Sequence, residues 1–84
     1  MNYTVLWRRS AERDLAQIWT DAPDRDRVTH ASDSLDDDLR SDPLTVGESR
    51  SDLTRIATEP PLTILFDVHP DDRQVIVWDV WRSG

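Results

Sequence analysis

Near the start of the chain, Tyr3, Val5 and Trp7 alternate with Thr4, Leu6 and Arg8. That period of two, rich in β-branched and aromatic residues, predicts a strand. Ser10 then offers a helix N-cap, with Glu12 in the first turn near the positive end of the helix dipole. Ala11, Leu15, Ile18 and Trp19 follow at i, i+4, i+7 and i+8, one apolar stripe on a helix over about residues 11–20. Asp21-Ala22-Pro23 stops it, because the position before proline disfavours helix. Val28, Ala31, Leu35 and Leu39 make a second stripe, predicting a helix over about 23–41 with Pro23 in its first turn. Its exposed positions are mediocre helix formers, and Asp36-Asp37-Asp38 lies toward the negative end of its dipole. The packing of its apolar stripe must therefore supply most of its stability.

Beyond Asp42-Pro43 the pattern changes. Residues 43–52 carry Pro43, Gly47 and polar side chains and read as a loop. Leu53–Ala57 is a short strand, and Glu59-Pro60-Pro61 a turn. Leu62, Ile64, Phe66 and Val68 alternate with Thr63, Leu65 and Asp67, a clear strand. Pro70-Asp71-Asp72 is a hairpin loop, and Val75–Trp81 a last strand, apolar almost throughout. The fold expected is α+β, order β-α-α-β-β-β, with two N-terminal helices packed on a small, mostly antiparallel sheet in one domain spanning 1–84.

Register decides which side chains are buried. A three-residue loop pairs His69 with Arg73, Phe66 with Ile76, Ile64 with Trp78, Leu65 with Val77 and Thr63 with Asp79. The even face then goes under the helices, with Trp78, Phe66, Ile64, Leu15, Ile18 and Leu35 in one core. The odd face, which includes Leu65, Val75, Val77 and Trp81, is too apolar for an ordinary solvated surface and is expected to meet a partner. A second copy of the chain could take the same face.

Composition narrows the chemistry. A chain of 84 residues buries only about 60–65% of the surface it exposes when unfolded, so a shallow site or an interface is expected rather than a deep pocket. There is no cysteine, which removes disulfides and thiolate metal sites. No apolar run is long enough for a membrane span, and the start does not read as a signal peptide, so the expected location is the cytoplasm. Seventeen acidic residues oppose ten arginines, and there is no lysine. The net charge of −7 repels phosphate backbones at long range. His30, Asp33 and Asp37 share a helix face without any metal-binding spacing and read as a solvated acidic surface, and no phosphate-binding glycine loop is present. No cofactor or metal is expected. Arg55 and Arg82, on the first and last strands of the meander, are the residues placed to meet a phosphate or developing negative charge. The alternative is that each forms a rim ion pair with a nearby aspartate.

Taken in order, these elements resemble the RelE/ParE superfamily, the toxins of bacterial type II toxin–antitoxin modules. The residues that carry the resemblance are Tyr3-Thr-Val-Leu-Trp, then Ala11, Asp14-Leu15 and Ile18. They continue with Leu39, Asp42-Pro43, Gly47 and Arg55. The strand Leu62-Thr-Ile-Leu-Phe-Asp-Val and the close Val75-Ile-Val-Trp-Asp-Val-Trp-Arg82 complete them. The resemblance covers nearly the whole chain. It implies a tight protein antitoxin partner, and either ribosome-dependent cleavage of mRNA or inhibition of gyrase. Arg55 and Arg82 are the family-like catalytic positions it implies. The chain departs from the nuclease pattern in being acidic, in Asp67 after the strand aromatic, and in Trp81-Arg82 where the family often has His-Arg.

Overall fold

The computed structural model describes residues 2–83 and has two helices on one face of a five-stranded sheet. Strand β1 (Thr4–Trp7) leads into α1 (Arg9–Asp21) and α2 (Arg25–Ser41). A 3-10 turn (Pro43–Thr45) and a two-residue strand, β2 (Glu48–Ser49), precede β3 (Thr54–Glu59), β4 (Leu62–His69) and β5 (Gln74–Arg82). The sheet order is β1-β5-β4-β3-β2, with β1 parallel to β5 and every other pair antiparallel. The expected α+β order is thus present, with one short strand more.

Both helix stripes do what their spacing predicts. Val28, Ala31, Leu35 and Leu39 on α2 and Ala11 on α1 are buried, with Leu15 and Ile18 packed against them. Fully burying an aliphatic side chain contributes about 1.5–3 kcal/mol, enough over α2 to offset its poor propensity. Trp19, on the same sequence stripe, is instead 43% exposed. The helix starts differ from expectation. Ser10 lies inside α1, which begins straight from the sheet, the Arg8 N–H donating to the Val77 carbonyl at 2.8 Å. Pro23 lies before α2, and Asp24 stands at its N-cap without a side-chain cap bond. Gly47, at φ +65°, makes the turn into β2, and a Cβ there would lie 2.0 Å from the Ile56 carbonyl oxygen.

The β4–β5 register is the main correction. Arg73 adopts φ +54° and joins the hairpin loop, so His69 pairs with Gln74 rather than Arg73. Phe66 consequently pairs with Val77 and Val68 with Val75. A β-bulge then leaves Trp78 unpaired, and Leu65 pairs with Asp79, Ile64 with Val80 and Thr63 with Trp81. The first adds one residue to the hairpin loop and the second one residue to β5, and each flips the side chains beyond it. The core row of β4 (Leu62, Ile64, Phe66, Val68) is as expected, but on β5 it meets Val75, Val77 and Val80 in place of Ile76 and Trp78. Val75 and Val77, expected on a partner face, are fully buried core residues.

Two stability outcomes follow. Phe66→Ala should cost about 3–5 kcal/mol in urea denaturation and Trp78→Ala clearly less. Equal costs would place Trp78 in the core. Gly47→Ala should lose about 1–3 kcal/mol from its backbone conformation alone, with the clash added.

Candidate functional site

Both helices pack on one side of the sheet, and among the described residues no helix covers the other. Strand pairing places Thr54, Ile56 and Thr58 of β3, Thr63, Leu65 and Asp67 of β4, Ile76, Asp79 and Trp81 of β5, and Leu6 of β1 on that face. Leu6 is 45% exposed, and Ile56, Leu65, Ile76 and Trp81 are half-buried without joining the core. Trp78 is also half-buried outside the core, and its indole N–H finds no acceptor among the described residues. None of the four tryptophans is fully buried.

Leu65 and Trp81 therefore lie on the face for which they were expected, whereas Val75 and Val77 do not. Polar groups on this face are bonded locally. Thr54 Oγ1 donates to Asp67 Oδ1 at 2.6 Å, Asp79 Oδ1 accepts the Val80 N–H at 2.9 Å, and the buried Thr63 hydroxyl is shared with those of Thr58 and Ser83. Neither aspartate has an ion-pair partner among the described residues.

The two arginines lie on the opposite, helix-side face, because Arg55 pairs with Phe66 and Arg82 with Leu62. Strand geometry (about 3.4 Å per residue and 4.8 Å per strand) sets their backbone positions about 17 Å apart, and their guanidinium groups are turned to separate partners. Arg55 Nε and Nη2 donate to the carbonyls of Val46 and Gly47 at 3.0 and 3.1 Å, fastening the turn before β2. Arg82 Nη2 donates to Asp24 Oδ2 at 2.8 Å, joining the end of β5 to the connection between the helices. Arg27 lies 3.6 Å from the same carboxylate oxygen. The Arg82 hydrogen bond holds the Asp24 carboxyl below the usual aspartate range against the opposing effect of desolvation, and raises the Arg82 guanidinium. Both arginines thus have structural tasks. Neither task was visible in the sequence, since Asp24 lies 58 positions from Arg82.

Sequence reasoning also missed a cleft of about 500 Å³ between α1 and α2, lined by Trp7, Leu15, Trp19 and Val28, with Glu12 and Thr29 at its polar side. Trp19 borders it, held by a 3.0 Å bond from its indole N–H to Thr29 Oγ1 and by the Arg25 guanidinium 4.6 Å over its ring. The visible signal was Trp19 on an amphipathic stripe, and nothing in the spacing showed that a cleft opens beside it. Among the described residues, no group of acidic or histidine side chains is arranged to hold a metal.

No family model matches the chain, and no curated protein matches it by sequence. Solved structures do. A chain of the toxin–antitoxin complex RelBE2 from Mycobacterium tuberculosis superposes with a TM-score of 0.79 at 24% identity, over 98% of this chain and 92% of that one. A chain of the chromosomal ParDE TA system from P. aeruginosa gives 0.73 at 16% identity, over 98% and 97%. The isolated E. coli RelE toxin gives 0.66 at 14%, over 98% and 85%. The protein has the RelE/ParE fold over nearly all of the described residues.

The Asp24–Arg82 pair has a pH consequence. A carboxyl depressed in the folded state contributes stability that is present above its unfolded value and lost as pH falls through the folded one. Acid unfolding below about pH 4 should therefore be shallower in Asp24→Asn than in the unaltered protein. Identical acid profiles by circular dichroism would show that the pair is energetically silent.

Proposed function

We propose that this protein is the toxin-like subunit of a type II toxin–antitoxin module, bound by a protein antitoxin in the cytoplasm, with weakened ribosome-dependent mRNA endonuclease activity. The observation that carries the reading is the match of the whole fold to chains of toxin–antitoxin complexes. An apolar sheet face without a covering helix supports it, since a face of this kind is costly to leave in water. No described helix is long and apolar enough to cross a membrane.

A second reading is a non-catalytic relative, either a gyrase inhibitor or a neutralised toxin kept for complex formation. What favours it is the engagement of Arg55 with two carbonyls and of Arg82 with Asp24. A guanidinium already spent on a carboxylate gives less to a phosphate, and the net charge of −7 opposes approach to ribosomal RNA.

Expression in bacterial cells together with a translation extract separates the two. The proposed function expects slight growth inhibition and slow mRNA cleavage, both abolished by Arg55→Ala or Arg82→Ala in variants shown to be folded. No growth defect and no cleavage at any concentration would leave the non-catalytic reading. Absence of any stable complex with the product of an adjacent short reading frame would remove the toxin–antitoxin assignment altogether.

A further inference from the structure

On the uncovered sheet face, every formally charged strand residue is a carboxylate. Glu48 opposite Ile56, Asp67 beside Ile76 and Asp79 beside Leu65 all fall on that side. Both strand arginines point to the helix side and are bonded there. The face thus sets carboxylates beside apolar side chains on its inner strands, Asp67 next to Ile76 and Asp79 next to Leu65, and neither aspartate is balanced by a cation among the described residues. A phosphate backbone would be repelled from it, and a second copy of the same face would bring carboxylates against carboxylates.

We infer that this face is the docking surface for a cationic amphipathic segment of the partner chain, with apolar residues set on Leu65, Ile76 and Trp81 and arginine or lysine set against Asp67 and Asp79. The inference rests on the proposed function only in taking that partner to be the antitoxin. Trp81 supplies a large rigid contact area, and the carboxylates supply orientation, encounter rate and exclusion of acidic competitors. The polarity of the pair is set by this chain: the partner carries the positive charge.

The test uses the full chain and two synthetic tryptophan-free amphipathic peptides of equal length and apolar content, one with arginine and one with glutamate at its polar positions. Calorimetric titration should show the arginine peptide binding at least about tenfold more tightly, a difference within the range of close charge pairs. Raising the salt should erase most of that preference. Asp67→Asn and Asp79→Asn, which keep an acceptor oxygen for Thr54 and for the Val80 N–H, should each lower it, whereas Trp81→Ala should weaken both peptides. Equal affinities, preference for the glutamate peptide, or a preference insensitive to both aspartate variants would overturn the inference. So would a Trp81-dependent dimer in light scattering that excludes both peptides, or single-stranded RNA competing for the face. These outcomes are independent of toxicity and of the adjacent gene's product, so failure here leaves the toxin-like reading to its own experiments.

Discussion

Burial of one row of side chains, Leu62, Ile64, Phe66 and Val68 on β4, is the interaction on which the rest of this molecule depends. All four are essentially inaccessible to water. They lie on the strand between β3 and β5, and α2 lays Leu35 and Leu39 into the same core. Two helices are enough to roof one side of the sheet, and the other side is left to its own side chains. The open face thus follows from placing both described helices on one side of the sheet.

The arginines show how the same constraint separates structure from chemistry. With one face of the sheet facing the helices, a strand residue is committed either to the helix side or to the open side. Arg55 and Arg82 fall on the helix side, where each is consumed by holding a connection in place. The open side receives Asp67 and Asp79. One alternation of the backbone therefore decides the sign of the surface on offer to other molecules. Its amount of apolar area is decided separately, by Leu65, Ile76 and Trp81.

What could be read from the sequence and what could not divide along physical lines. The α2 stripe and the β4 alternation each have a single period, and both led to the right core residues. Strand β5 is apolar at almost every position, so its own pattern contains no preference for a face. Its register depended on two local backbone events, Arg73 in the left-handed region and the bulge at Trp78. Glycine or asparagine commonly marks the first, and no residue type marks the second. Each moved the pairing by one, which carried Val75 and Val77 inward while Trp81 kept its side. The positions of Arg55 and Arg82 on strands were legible. Their partners were not, because one is a pair of main-chain carbonyls and the other an aspartate from a distant turn.

The parallel pairing of β1 with β5 sets Thr4 beside Gln74 and Trp7 beside Val77. Strand β1 leads directly into α1, so this seam closes the sheet between the beginning of the described chain and its final strand. On a translating ribosome β1 emerges first and has no neighbour until β5 follows it, since a parallel partner must come through a long crossover. Such distant pairing makes the closing step late and slow compared with formation of the helices. During that interval Val5 and Trp7 lack the strand beside them, and the sheet edge they will cover stays open to any extended chain nearby. That edge, on β5, is the last part of the sheet to be closed.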